Sequence, residues 1–225
     1  MSRFQPTPGP GFWPAATTSF LKRGVTYWEK DQDRRLYYVA GPRLYALNAD
    51  TGRPLPAFGD NGWVDLAKGF DREVSYASYN SAPVICRNRI ILGSSYYASG
   101  EPKLRGSAGR KSPPGDIVAY DLMTGKRAWI FHTIPHPGEF GYDTWPPEAW
   151  QNATGANSWG GMTADYARGL VFAGTAAAYY EPPRYGMNLF ANTVLALDCE
   201  TGISRLLYKD ASEHLSVSIR NFQAQ

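Results

Sequence analysis

The chain has 225 residues, a formal net charge of +3 and 14% aromatic residues, with 23 Gly and 17 Pro punctuating it. That length suits one domain or two small ones around a sizeable core, and the density of Gly and Pro leaves few windows for a helical bundle. The charge excess is too weak for a nucleic-acid binder. The nearest basic cluster, Lys103, Arg105, Arg110 and Lys111, lies among Gly, Ser and Ala and reads as a solvated loop, so no nucleic-acid partner is expected.

Residues 1–19 are rich in Pro and Gly and lack an apolar h-region, so they are expected to be a flexible segment rather than a secretory signal. No run of about 18 apolar residues occurs, and no membrane-spanning helix is expected. From there the chain alternates between short apolar runs and turn residues. Arg35–Ala40 leads through Gly41-Pro42 into Leu44-Tyr-Ala-Leu-Asn-Ala-Asp-Thr-Gly52. Arg89–Ser94 leads through a long loop into Ile117-Val-Ala-Tyr-Asp-Leu-Met-Thr-Gly125, and Gly169–Gly174 leads through another into Val194-Leu-Ala-Leu-Asp-Cys-Glu-Thr-Gly202.

These three nine-residue segments align without gaps as apolar-x-Ala-apolar-Asp/Asn-x-x-Thr-Gly, with Ala46, Ala119 and Ala196 about 75 residues apart. Alternation makes each a strand. The Asp or Asn caps a tight turn and Gly supplies positive φ, so the chain reverses into a further strand. In the middle copy that strand is Lys126–Phe131, where Trp129 is placed to pack between neighbouring sheets; Pro56 and Leu206 occupy its position in the other copies. Strand, turn, strand, insertion, strand, Thr-Gly turn, strand predicts an all-β fold, a β-propeller of four-stranded blades.

Insertions at 96–115, 132–145 and 175–192 are expected to gather at one face, where propeller ligands bind. His132, His136, Glu139 and Asp143 lie on a Pro-broken loop without a third His, which argues for a structural loop over a metal site. No GxSxG elbow and no phosphate-binding Gly-rich loop occurs. Glu139 and Asp143 have no further support as a glycosidase carboxylate pair. Cys86 and Cys199 show no metal spacing; a buried small hydrophobe is the favoured role for each, with a disulfide between them left open. In Asn157–Asp165, Trp159 followed by Gly160 and Gly161 leaves one indole face uncovered for a planar partner, but on the residues alone a blade-packing Trp is the favoured reading.

Arg23–Glu29, the Thr-Gly repeats, Gly115–Asp121, His132–Trp145, Asn157–Asp165 and Asn188–Asn192 together resemble the pyrroloquinoline quinone (PQQ)-dependent dehydrogenases, the glucose branch most closely. The resemblance spans about residues 20–202. It implies an eight-bladed propeller with PQQ on its axis, of which this chain would supply roughly half. It implies oxidation of a sugar or alcohol, with PQQ accepting a hydride and a quinone or other acceptor taking the electrons, on the periplasmic side of bacteria. Trp159 corresponds to the Trp stacked under PQQ, and Asp165 to an Asp six positions later. Arg23 corresponds to a cofactor-contacting arginine, suited by charge and fork geometry to PQQ carboxylates and quinone oxygens. Ser95 corresponds to a hydroxyl touching a cofactor carboxylate, and Asn80 stands where relatives carry Thr.

Departures from the family pattern are as informative. Ala98 and Ala177 stand where alcohol-oxidising relatives place Glu and Asn ligands for calcium, so the usual ligands for a Ca or Mg ion are unmatched. The adjacent-cysteine pair of some relatives is missing. Residues 203–225 show neither the family's His-His-Asp-x-Trp-Asp type segment nor a clear strand, and no residue corresponds to the catalytic carboxylate. The expected organisation is a flexible segment over 1–19, a partial propeller over 20–208 and a divergent tail over 209–225. The chain alone is expected to be inactive. A second chain completing the ring, a non-catalytic propeller scaffold and an inactive remnant are the alternatives.

Overall fold

The structure, a computed structural model, describes residues 24–74, 79–95, 113–179 and 186–209. Three four-stranded antiparallel sheets hold nearly all the regular structure. The first blade contains β1 (Thr26–Lys30), β2 (Asp33–Ala40), β3 (Arg43–Asn48) and β4 (Trp63–Asp65). The second contains β5 (Val84–Cys86), β6 (Arg89–Gly93), β7 (Ile117–Asp121) and β8 (Arg127–Phe131). A two-residue strand β9 (Thr154–Gly155) follows and pairs with β12 (Ala178–Tyr179). The third blade joins β10 (Met162–Asp165), β11 (Leu170–Gly174), β13 (Thr193–Asp198) and β14 (Ser204–Lys209). Within each blade the strands pair in chain order. The all-β propeller architecture of four-stranded blades is thus present, with three blades among the described residues.

β14 corrects one expectation. Ser204–Lys209 pairs with β13 through Thr193↔Lys209 and completes the third blade. Its sequence reads poorly as a strand, but the Thr-Gly turn before it fixes the reversal and β13 supplies the template.

The repeat is explained atom by atom. Asn48, Asp121 and Asp198 each accept, through Oδ1, from the backbone N of the Thr three residues on, at 2.8, 2.8 and 3.0 Å. The same Oδ1 accepts from that Thr hydroxyl at 2.9, 2.7 and 3.0 Å. The Thr Oγ1 then accepts from the backbone N two residues later, at 3.3 Å in all three copies. Gly52, Gly125 and Gly202 close each turn with φ of 68°, 72° and 74°, a region costly for residues with a Cβ.

Side-chain alternation along β2 sends Tyr37 and Val39 toward the second blade, and Leu36, Tyr38 and Ala40 to the other face. The first interblade core joins Tyr37, Leu44, Phe58 and Leu66 to Ile90, Leu92, Val118 and Tyr120. The second joins Ile91, Ala119 and Trp129 to Val171, Leu195 and Leu197. Trp129 packs between sheets as the sequence predicts: it is buried, and its ring lies where a Cβ on Gly202 would come within 2.6 Å. In the first blade that place against Gly125 is taken by Phe58 and Val64, not by Pro56.

Cys86 and Cys199 are both fully buried, but as a disulfide that ties β5 to the turn after β13 across 113 residues. The favoured reading as separate buried hydrophobes is corrected. Blade stacking brings the end of β5 beside the third blade's Thr-Gly turn, a proximity that spacing along the chain cannot reveal.

Candidate cofactor site

The first strands of the blades, β1, β5 and β10, lie side by side. Around their ends, four segments converge. Gly24 lies against Ala82, whose Cβ is 3.6 Å from the place a Gly24 Cβ would take. Gly161, with φ of 100°, lies against Ser81 in the same way at 3.8 Å. Gly93 touches Ser158 so closely that a Cβ would fall 2.6 Å from the Ser158 carbonyl oxygen. Asn80 donates its backbone N–H to Ser95 Oγ at 3.1 Å. Residues 80–82, 93–95 and 158–161 therefore form one continuous patch, with the chain entering beside it at Gly24.

The structure brings Asn80 and Ser95 into direct contact and sets Trp159 on the segment that both neighbours grip, through Ser158 and Gly161. Trp159 is 47% exposed, so it does not pack a blade as Trp129 does. Gly160, beside it, has open space where a Cβ would stand. A planar group laid on this indole would meet no side chain from Gly160 or Gly161. Ser95 is buried and its oxygen accepts from Asn80 N, a bond that does not use the hydroxyl proton. Arg23 lies outside the described residues.

Other singled-out residues have structural roles. Asp165 ends β10 and caps the β10–β11 turn, accepting from Arg168 N at 3.0 Å and pairing with the Arg168 guanidinium at 2.7 Å. Those bonds from Arg168, backbone and then side chain, hold its carboxyl below the ordinary range. Trp145 is buried and donates to the Leu189 carbonyl at 2.9 Å, which joins the loop after β8 to the Asn188–Asn192 segment. Ala177 gives its carbonyl to Ala156 N at 2.9 Å and presents only a methyl side chain. Ala98 and the 103–111 cluster lie outside the described residues. Among the described residues no three His, Cys, Asp or Glu gather in a metal-holding group. Ala98 and Ala177 carry no side-chain oxygen for a calcium ion at the two positions that correspond to ligands in alcohol-oxidising relatives.

Sequence reasoning missed the interblade donors. Tyr37 Oη reaches across to the Leu122 carbonyl at 2.7 Å, just as Trp129 Nε1 reaches the Cys199 carbonyl at 2.9 Å. Leu122 and Cys199 are the same repeat position, directly after the capping Asp, so the recurrence of that position was the available signal. Arg89 likewise pairs with Glu200 at 2.7 Å, while Arg35 donates to the Met123 carbonyl at 3.5 Å.

Comparison with known proteins agrees with this fold. Residues 9–209 match the PQQ family described as glucose/ethanol/alcohol dehydrogenase, beta-propeller domain. The quinate/shikimate dehydrogenase (quinone) of Acinetobacter baylyi is 31% identical over 81% of this chain and 22% of its own length. The glycerol dehydrogenase large subunit of Gluconobacter thailandicus is 29% identical over 84% of this chain and 26% of its own. The quinohemoprotein alcohol dehydrogenase of Comamonas testosteroni superposes with a TM-score of 0.64 at 25% identity, covering 87% of this chain and 29% of that one. The chain thus spans about a quarter of the length of such relatives. With its match running from residue 9 to residue 209, it belongs to the PQQ-dependent glucose/ethanol/alcohol dehydrogenase β-propeller family.

Proposed function

We propose that this chain provides one wall of a PQQ cradle in a quinoprotein that oxidises a hydroxyl of a sugar, polyol or simple alcohol. The observation that carries the reading is the half-exposed Trp159 indole, held by Ser158 against Gly93 and by Gly161 against Ser81, beside the Asn80–Ser95 hydrogen bond. Trp159 is the stacking floor, Ser95 a hydroxyl donor to a cofactor carboxylate, Asn80 a support for that hydroxyl, and Arg23 the electrostatic partner. PQQ supplies the two-electron acceptor: the substrate hydroxyl becomes a carbonyl, and two electrons and two protons leave with the reduced quinone. A quinone or cytochrome acceptor would reoxidise it.

Relatives named for quinate or shikimate and for glycerol support a hydroxyl-rich substrate. The Cys86–Cys199 disulfide supports an oxidising compartment such as the periplasm, since disulfides persist there and are rare in the cytosol. Among the described residues no helix is long and apolar enough to cross a membrane.

The test is PQQ titration of the purified chain followed by Trp fluorescence. Saturable quenching is expected, weakened about tenfold by Trp159→Ala through loss of aromatic stacking and weakened also by Arg23→Ala. A folded chain that shows no quenching, or whose quenching ignores Trp159→Ala, would remove the cofactor role and leave a scaffold.

A further inference from the structure

A second cluster of ionisable groups, unused by the cradle, sits where the loop after β8 meets the first two blades. His132 is its hub. Nδ1 lies 2.7 Å from Glu139 Oε1 on the same loop. Nε2 lies 3.4 Å from Asp71 Oδ2, on the connection leaving the first blade, close enough to pair charges though not aligned as a hydrogen bond. Arg127 of β8 binds both Asp71 and the Gly69 carbonyl. Arg72 donates to the carbonyls of Trp150 at 2.8 Å and Ala153 at 2.6 Å. Asp116, buried just before β7, accepts from Thr133 N at 3.2 Å. Its own carbonyl accepts from Ser94 N at 3.4 Å, next to Ser95.

The other side of His132 is covered by His136, whose ring stacks on it at 3.8 Å and 10°, and which in turn lies 4.9 Å from Trp150. Glu139 Oε2 accepts from His136 N at 2.7 Å, so one carboxylate grips the loop at two points. The charged groups facing His132 are then Asp71 and Arg72 from the connection, Asp116 before β7, Arg127 from β8, and His136 and Glu139 from its own loop. Glu139 and Asp71 share the His132 ring as a positive partner only while it holds its proton, with Arg127 as a second partner for Asp71.

We propose that His132 is a proton-operated latch: protonated, it ties Glu139 on the 132–145 loop to Asp71 on the blade connection, and on losing its proton it lets that loop open. The two imidazoles have opposite tendencies, as a stacked pair requires. Burial pulls His132 down, but the Glu139 hydrogen bond and the charges of Asp116, Glu139 and Asp71 outweigh it and hold the ring above 6.5. Burial, then the His132 charge, pulls His136 below that value. One imidazolium therefore serves the pair, and its loss leaves Glu139 and Asp71 facing each other without a bridge.

The test is amide hydrogen exchange of peptides covering residues 133–145 in the full chain, from pH 5.5 to 8.5 and corrected for intrinsic exchange, alongside NMR titration of the His132 ring. Protection is expected to fall about tenfold or more per unit shift sustained by the latch, with a midpoint that follows the His132 titration. Glu139→Gln should lower the ring's midpoint and move the exchange transition with it. His132→Gln should leave the loop open at every pH while β6 and β7 stay protected. A corrected exchange profile flat in pH, or a transition that Glu139→Gln does not move, would overturn the latch; wild type and Glu139→Gln suffice if His132→Gln does not fold.

Discussion

Trp129 Nε1 donates to the Cys199 carbonyl oxygen at 2.9 Å across the boundary between the second and third blades, directly beside the disulfide that Cys199 makes with Cys86. The previous boundary has the equivalent bond from Tyr37 to Leu122 at 2.7 Å, made by a different residue type from a different strand. A buried carbonyl at a fixed point of the repeat needs a donor from the preceding blade, and this fold meets that need twice by separate means. Tyr37→Phe keeps the ring and leaves the Leu122 carbonyl unpaired, so a loss of about 1–2 kcal/mol is expected. Trp129→Ala also empties the space against Gly202 and should cost about 3–5 kcal/mol. Urea unfolding of the two variants checks the order; equal losses would show that the bond, not the packing, dominates.

The natural Asn48 in the first repeat predicts the tolerance of the others. Asp121 Oδ1 accepts from Met123 N at 3.1 Å, from Thr124 N at 2.8 Å and from the Thr124 hydroxyl at 2.7 Å. All three bonds use an oxygen that Asn also has. Asp121→Asn is expected to change stability by less than about 1 kcal/mol, whereas Asp121→Ala should cost about 1–2 kcal/mol. Burial pushes the Asp121 carboxyl up, but the Thr124 bonds override it and hold it low. A carboxyl held low contributes above its unfolded pKa of 3.8 and ceases to as pH falls through its folded value, so the gap between Asp and Asn should close in acid. Thermal melts of wild type and Asp121→Asn at pH 3 and pH 7 read this directly.

The disulfide closes a loop of 113 residues. In the chain-entropy account a loop that long restricts the unfolded state substantially, and removal is expected to cost about 2–4 kcal/mol. Both sulfurs are fully buried, so reductant should act only on opened molecules. Cys86→Ser with Cys199→Ser should unfold at lower urea than wild type and be indifferent to dithiothreitol. If wild type and the double variant unfold together under oxidising conditions, the bond contributes nothing.

How much of this was legible depends on how local each interaction is. The Thr-Gly turns are complete within six residues, from Asn48 to Arg53 in the first copy, and so their side-chain hydrogen bonds were implicit in the residue types alone. The strands beside them follow from alternation. Trp129 was legible because it is large and stands four residues after the Thr-Gly turn, in the strand that the turn reverses into. Phe58 was not, since it packs on Gly125 from a loop and not from the aligned strand. Cys86–Cys199 and His132–Asp71 depend on how one blade sits on the next, and no spacing rule encodes that. The cradle lies between: Trp159-Gly160-Gly161 announces an uncovered ring, but the grip of Ser158 on Gly93 appears only once two blades are stacked.

That grip gives a prediction on the cradle itself. A Cβ on Gly93 would lie 2.6 Å from the Ser158 carbonyl and 2.8 Å from its Cβ, so one segment must move. Gly93→Ala is expected to destabilise by about 1–3 kcal/mol and to shift the emission of Trp159, which is one residue from the displaced carbonyl. Gly160→Ala meets open space and serves as the control, with stability close to wild type. Fluorescence of both variants in a Trp159→Phe background assigns the shift: it should vanish there if Trp159 reports it.

Asp116 predicts a pH dependence opposite to that of the turn aspartates. Burial pushes its carboxyl up to about 7, against the lowering charges of His132 and Arg72. Between its unfolded pKa of 3.8 and about 7 the folded chain holds a proton that the unfolded chain has lost. Stability then falls as pH rises, by about 1.4 kcal/mol per unit, and levels off above the folded value. His132 acts with the same sign, its contribution present below 6.5 and lost as pH rises through its raised folded value. Asp116→Asn keeps an oxygen for Thr133 N but cannot ionise. Measured by urea unfolding at pH 5, 6, 7 and 8, the variant should gain on wild type by on the order of 2–3 kcal/mol between pH 5 and 7 and by little beyond. Parallel pH profiles for the two proteins would mean that Asp116 ionises as freely when folded as when unfolded, and that its burial between the blades carries no electrostatic cost.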